Sequence, residues 1–290
     1  MKESIVRSVI ADFAAAGRMV DSALQGWWKE LGELGSDPAR TRLCLVAALT
    51  VPLATTMALW LEVESVWWAA ISGYMTIMAS GAASISKGLL RLAGTIGGAA
   101  VGFIVARWLP YDHFALSLFL GAATMLGVVA MQVSPHGLAW LFGTITSILV
   151  LLEGLNDPLK VPYIAFYRVF EVGIGVTASA IVANLLMHWH ADPAPQSPGW
   201  RHLLGPQWPA LLHGMRAAIA VVVMMQVWIW MDLPQVTEMA VSIAVVMSAP
   251  VIGDGSLGTR HAVAERSLHR ILGCFLGGIA ALGCLALDVQ

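Results

Sequence analysis

Residues 92–109 read LAGTIGGAAVGFIVARWL, and this stretch decides the fold class. It carries a single charged side chain, Arg107, near its end. A helix needs ~17–25 largely apolar residues to cross the hydrocarbon core of a membrane, and this stretch is long enough. Similar apolar blocks, separated by short polar breaks, recur along the chain. We predict nine spanning segments, at 43–61, 66–83, 92–109, 114–131, 137–152, 169–187, 217–231, 239–252 and 271–287.

The composition supports the same class. Of the 290 residues, 58% are hydrophobic and 12% are charged, whereas ~25% are charged in an ordinary soluble domain. Too few charges are present to cover the surface of a soluble fold, which excludes a soluble enzyme, a disordered chain and a nucleic-acid-binding protein. We therefore predict an all-α, polytopic transmembrane helix bundle that is not an enzyme.

The basic residues predict the orientation, because lysine and arginine concentrate in cytoplasmic loops. With the N-terminus in the cytoplasm, only Arg107, Lys160 and Arg168 of the 16 lysines and arginines fall outside. No cleavable signal peptide is predicted, since the first 20 residues lack an unbroken apolar core. The expected location is the bacterial inner membrane.

Residues 1–37 are expected to form an amphipathic N-terminal helix. Apolar residues from Val6 to Leu34 recur at alternating steps of about four and three, which is a heptad pattern. Such a helix lies on the membrane surface or on the protein's own loops, or it forms the seam of a dimer.

The rest of the chain reads as two parallel repeats. Arg91 and Arg270 each begin the pattern R-x-x-G-x-x-x-G, and Arg42 and Arg216 each open a half. We predict a six-helix first repeat at 38–190, a proline-rich cytoplasmic linker at 191–209, and an incomplete second repeat of about three helices at 210–290. The second half stops where a fourth helix of the repeat is expected, so the sequence leaves undecided whether the C-terminus is trimmed.

Small residues follow each of the two arginines at every fourth position. Gly94 and Gly98 in the first half match Gly273 and Gly277 in the second. Small residues at this spacing let membrane helices approach closely. We expect the two rows to lie side by side near a pseudo-two-fold axis, as plain packing or as a surface that slides during transport.

Arg91 and Arg270 are predicted to sit at the cytoplasmic starts of their helices. A cation there opposes the helix dipole and so does not serve helix stability. Two roles stay open: lone basic residues set orientation or bind lipid phosphate, whereas a repeated pair of guanidinium groups attracts anions at the inner mouth.

Arg168 and Glu171 are three residues apart and share one helix face. A carboxylate near the hydrocarbon is costly and by default suggests a function. Glu171 is either a proton-linked group or a structural ion-pair partner, and Glu153 and Asp157 in the preceding outer loop compete for the proton-linked role.

No metal site or cofactor is predicted. The eight histidines and the three cysteines lack ligand spacing. Gly253, Gly255 and Gly258 fit G-x-G-x-x-G, but a dinucleotide site also needs a βαβ unit and an acidic residue ~20 positions on. Most tryptophans suit an aromatic belt at the membrane interface.

The two R-x-x-G-x-x-x-G helices, each following an arginine that opens its half, resemble the fusaric acid resistance / aromatic acid exporter family. Residues 168–186, with Glu171, Gly173 and Gly175, also resemble that family's helix before its cytoplasmic region. The resemblance covers about residues 40–287. It implies export of aromatic or other weak organic acids, often with a periplasmic adaptor protein. Plant relatives are anion channels, which implies a pathway between helices and a dimer. Longer members have a full second half and a large cytoplasmic domain.

The expected function is a proton-driven exporter of aromatic carboxylates, and an anion channel or a non-transporting scaffold subunit are the alternatives. Arg91 and Arg270 would supply the counter-charge, and Trp67 and Trp68 an aromatic wall for the substrate ring. Glu171 beside Arg168 would carry the proton.

Overall fold

The computed structural model describes residues 37–78, 80–108, 112–187, 199–202, 208–231 and 257–288, with isolated positions between 17 and 33 and at 242 and 245. The described residues are all-helical and contain no strand. The eight α-helices are α1 Pro38–Trp60, α2 Val66–Thr76, α3 Gly81–Trp108, α4 His113–Val133, α5 Gly137–Asn156, α6 Val161–Leu186, α7 Trp208–Met231 and α8 Leu257–Asp288.

Side-chain caps start two of these helices where the sequence changes from polar to apolar. The Asp37 carboxylate accepts the N–H of Ala39 at 2.9 Å, and Pro38 occupies the first turn of α1. The Asp112 carboxylate accepts the N–H groups of Phe114 and Ala115 at the start of α4. Such caps satisfy N–H groups that lack a partner within the helix.

Seven of the described helices are long and apolar enough to cross a membrane; α2, with 11 residues, is too short. The predicted second block, 66–83, is therefore wrong as one spanning helix. The eighth block, 239–252, lies almost wholly outside the described residues, as do the predicted helix at 1–37 and most of the linker at 191–209.

Hydroxyl groups account for the break after α2. Thr76 ends the helix, and its Oγ1 donates to the carbonyl oxygens of Ser72 and Gly73 at 3.2 and 2.8 Å. The backbone is extended at Ile77. The Met78 N–H donates to Oγ of Ser84, in the first turn of α3, at 2.9 Å. Polar side chains thus satisfy backbone groups that lipid would leave without partners.

The first seven helices pack in the order α1, α2, α6, α3, α5, α4, α7, with α1 also against α6. Leu120, Ile148, Leu151 and Val221 belong to the largest apolar core, between α4, α5 and α7. In α8, the side chains from 273 to 286 are exposed.

The glycine row of α3 packs against α5. A methyl group at Gly94 would overlap the carbonyl oxygen of Ala139, and one at Gly98 would overlap that of Gly143. No atom of the described residues lies within 4 Å of a methyl group placed at Gly273 or Gly277 of α8. The prediction that the two rows face each other is therefore wrong in the single chain, because the first row already has a partner in α5.

Candidate functional site

Arg91 is a buried cation near the middle of the bundle. Its guanidinium donates from Nη2 to Ser72 Oγ at 3.1 Å and from Nη1 to Met75 Sδ at 3.5 Å. Its Cζ lies 4.1 Å from the ring centroid of Phe142 on α5. The residue is 4% exposed, its Nε has no hydrogen-bond partner, and no carboxylate of the described residues pairs with it. An arginine buried in this way lacks the anionic partner that such residues ordinarily have.

The position of Arg91 corrects the prediction. Helix α3 begins at Gly81, so Arg91 lies about 15 Å along the axis at 1.5 Å per residue and is not at the helix start. The residues before Arg91 are helical although several are polar, because this part of α3 packs on α6. Gly88 lies against Val176 of α6.

Arg270 lies in different surroundings from Arg91. It is exposed, and its Nη2 donates to Ser242 Oγ at 3.0 Å. The two arginines that match in sequence share no hydrogen-bond partner among the residues that the structure describes. Their predicted pairing at one mouth stays a prediction.

A second charged cluster joins α5 and α6. Arg168 donates from Nη2 to both carboxylate oxygens of Glu153, at 2.8 and 2.9 Å, and from Nη1 to Glu171 Oε2 at 3.0 Å. Glu171 is 2% exposed, and its Oε1 accepts the backbone N–H of Ser65 at 3.2 Å. The spacing of Arg168 and Glu171 predicted that they share a face and can pair; Glu153 joins them from α5. Two carboxylates thus share one guanidinium.

Asp157, the other competing acid, is not in this cluster. Its carboxylate pairs with Lys160 at 3.3 Å, and both side chains are exposed. Glu153 and Glu171 are therefore the acidic residues that the structure brings to Arg168.

The structure places Trp68 beside the acid cluster. The Arg168 Cζ lies 4.6 Å from the Trp68 ring, and Trp67 stacks on Trp68 at 4.4 Å between centroids. The Trp68 Nε1 is buried and has no hydrogen-bond partner among the described residues. Trp68 therefore lies at the acid cluster, and Phe142 is the ring that contacts Arg91. The role of Trp67 and Trp68 as a wall for the substrate stays a prediction.

Helix α2 touches both sites. Trp68 and Ser72 are four residues apart and so lie on one face; Trp68 packs under Arg168 and Ser72 binds Arg91. The helix crosses α6 closely, since a methyl group at Gly175 would overlap the carbonyl oxygen of Ala69. Sequence reasoning missed Ser72 and Phe142, because a serine and a phenylalanine inside apolar runs give no pattern that marks them.

The described residues contain no group of three or more histidine, cysteine, aspartate or glutamate side chains placed to hold a metal ion. The described residues instead offer two charged sites. Arg91 is a guanidinium without a carboxylate partner among them, and Arg168 is a guanidinium bound by two carboxylates.

Comparison with known proteins gives two matches. The profile of the fusaric acid resistance protein family matches residues 44–198, which is more than half of the chain. A protein of Gluconobacter oxydans (strain 621H), named as an uncharacterized transporter, is 26% identical over 159 residues. That alignment covers 51% of this chain, and the chain spans about a fifth (21%) of the relative's length. No solved structure matches.

Proposed function

The chain belongs to the fusaric acid resistance protein family, and from this membership we propose that it exports aromatic and other weak organic acids, driven by protons. As a multi-pass membrane protein of a transporter family it acts as a transporter rather than as an enzyme. The proposal places it in the bacterial inner membrane with a cytoplasmic N-terminus. A homodimer and a periplasmic adaptor protein belong to the same proposal.

The observation that carries the proposal is the guanidinium of Arg91, buried without a carboxylate partner among the described residues. A buried charge is costly until a counter-charge joins it. Simple carboxylic acids titrate near pH 4 and are ionised in the cytoplasm. Arginine binds carboxylates through paired N–H donors, and Arg91 has an Nε–H without a partner. An organic carboxylate is thus the ligand that this group fits.

The surroundings of Arg91 suit a ligand with an aromatic body. The Phe142 ring and the Met75 thioether contact the guanidinium, and aromatic pairs add to the energy of apolar burial. Trp67 and Trp68 begin one helical turn away on α2 and extend the apolar lining in the proposal. Arg270 stays a candidate for the inner mouth.

The acid cluster is the proposed proton carrier. Two carboxylates, Glu153 and Glu171, share the single positive charge of Arg168, so the cluster holds one negative charge in excess when both are ionised. A group that gains and loses one proton there would couple the proton gradient to transport. An anion channel is the second candidate, and the observation that favours it is that Arg91 itself has no acidic neighbour among the described residues.

We expect inverted membrane vesicles that contain the protein to accumulate labelled benzoate when their interior is acidified. Passive diffusion of the neutral acid gives the opposite distribution, since a weak acid is excluded from the more acidic compartment. Accumulation inside therefore reports active export, and it should disappear when a protonophore collapses the gradient.

The control is a set of vesicles that lack the protein. If the protein speeds benzoate entry but the internal benzoate concentration never exceeds its equilibrium value, the protein is a channel and not a proton-driven exporter. Equal behaviour of the two vesicle sets would contradict transport of benzoate altogether.

A further inference from the structure

Helix α2 begins at the acid cluster. Ser65 directly precedes its first residue, Val66, and the Ser65 N–H donates to Glu171 Oε1 at 3.2 Å. A carboxylate at this end accepts a hydrogen bond from an N–H that has no partner in the helix, and it interacts favourably with the helix dipole. Ser65 forms no side-chain cap of its own, so Glu171 performs this task from α6.

Two turns after its start, the same helix reaches Arg91, the proposed anion site, at Ser72. Ser72 accepts a hydrogen bond from Arg91 at 3.1 Å. Its own hydroxyl hydrogen has no acceptor among the described residues, so it can be donated to a carboxylate bound at Arg91. Ser65 and Ser72 are about 10 Å apart along a helix axis, so the first two turns of α2 connect the acid cluster to Arg91.

Helix α2 rests on α6 at a contact between backbones. Methyl groups at Gly73 and Gly175 would approach or overlap backbone atoms of the opposite helix. The chain is extended at Ile77, so α2 and α3 do not form one continuous helix. Helix α2 also packs on α1. Within this packing, the bond from Ser65 to Glu171 fixes its start, and the bond from Arg91 to Ser72 fixes its second turn.

We propose that α2 couples proton binding to anion binding: ionised Glu171 holds Ser72 beside Arg91, and a proton on Glu171 withdraws it. This rests on the proposed function of Arg91 as the anion site. A protonated Glu171 is a weaker acceptor for the Ser65 N–H and for Arg168, so α2 loses its cap and the carboxylate loses the Ser72 hydroxyl. The proton and the organic anion then bind antagonistically, as an exporter that exchanges one for the other requires.

Direct electrostatics predicts the opposite sign. The charged groups around Glu171 are Arg168 on its own helix, Glu153 on α5 and Glu64 in the segment before α2. A proton added to this set makes the region more positive and would strengthen anion binding at Arg91. The direction of the effect therefore separates coupling through α2 from coupling through space.

The test is the affinity of the purified full chain for labelled benzoate at neutral pH, where the ligand is ionised. Ser72→Ala should weaken binding about tenfold, as expected for one lost hydrogen bond to a charged group. Glu171→Gln, which imitates the protonated state, should weaken it about fivefold or more. The double variant should bind no more weakly than Ser72→Ala, because both changes remove the same contact.

A second variant separates position from charge. Ser65→Pro removes the backbone N–H that Glu171 accepts and leaves every charge in place. It should weaken benzoate binding as Glu171→Gln does. Glu62→Gln, an exposed glutamate near α2, and Ser117→Ala, a buried serine on α4, are the matched controls and should bind as the unchanged protein.

Unchanged or tighter binding by Glu171→Gln, or effects that multiply in the double variant, would overturn the coupling while Arg91 remains the anion site. Failure of the proposed function gives a different result. In that case the unchanged protein does not bind benzoate, or Arg91→Gln binds it equally well.

Discussion

Replacing Arg168 with glutamine is expected to destabilise the protein by about 3–5 kcal/mol, the range measured when one partner of a buried ion pair is removed. Arg168 is 8% exposed, and it donates three hydrogen bonds to Glu153 and Glu171. Without it, two carboxylates would face each other, and among the described residues only the Ser65 N–H would donate a hydrogen bond to Glu171. The cost arises from the charges left behind more than from the lost contacts.

The measurement is the thermal midpoint of the purified protein, which should fall by roughly 6–20 °C at 2–4 °C for each kcal/mol. Arg107→Gln, at an exposed arginine of α3, is the control and should change it little. Adding Glu153→Gln and Glu171→Gln to the Arg168 variant should restore much of the loss, because the charges are then removed together. An unchanged midpoint in Arg168→Gln alone would mean that the cluster is not assembled as described.

Gly98→Ala is expected to cost about 1–3 kcal/mol, the usual penalty of overpacking, or more. The added methyl group would overlap the carbonyl oxygen of Gly143, which is backbone and cannot rotate away. Helices α3 and α5 must therefore separate over their whole crossing. Gly94→Ala should act similarly, since its methyl group would overlap the carbonyl oxygen of Ala139.

Gly97→Ala is the matched control, because Gly97 has open space within 4 Å. It should be neutral or slightly stabilising, as alanine favours a helix over glycine by up to ~1 kcal/mol. Thermal midpoints of the variants measure the difference. Equal midpoints for Gly98→Ala and Gly97→Ala would contradict the packing of α3 on α5. Gly277→Ala should also be neutral if α8 has no close neighbour there beyond the described residues, and a loss of stability would indicate that it has one.

Hydropathy and spacing predicted the class of fold and several of its local features. Seven of the nine predicted apolar blocks lie in helices that are long and apolar enough to cross a membrane, where only closed backbone hydrogen bonding is tolerated. The three-residue spacing of Arg168 and Glu171 predicted that they can pair, which depends only on the helical repeat. The role of Glu171 in proton transfer stays a prediction.

The features that sequence reasoning missed are those that depend on contacts between distant segments. A window of hydropathy treats 66–83 as uniformly apolar, yet the hydroxyls of Thr76 and Ser84 bind backbone groups there and permit a break. The glycine row of α3 predicts that another helix packs closely on it, but the sequence does not show which one. In the structure that helix is α5. Hydropathy predicts a polar break between the blocks 66–83 and 92–109 and so puts Arg91 at a helix start, whereas α3 begins at Gly81.

The central claim is that Arg91 binds the transported anion. The most direct measurement compares benzoate efflux from proteoliposomes containing the unchanged protein, Arg91→Gln or Arg107→Gln at equal protein content. Removing a bidentate charged partner should cost at least tenfold in rate, as about 1.5–3 kcal/mol per hydrogen bond to a charged group implies. We therefore expect flux in Arg91→Gln below a tenth of that in the unchanged protein, and full flux in Arg107→Gln. Equal flux in Arg91→Gln and the unchanged protein would contradict the claim.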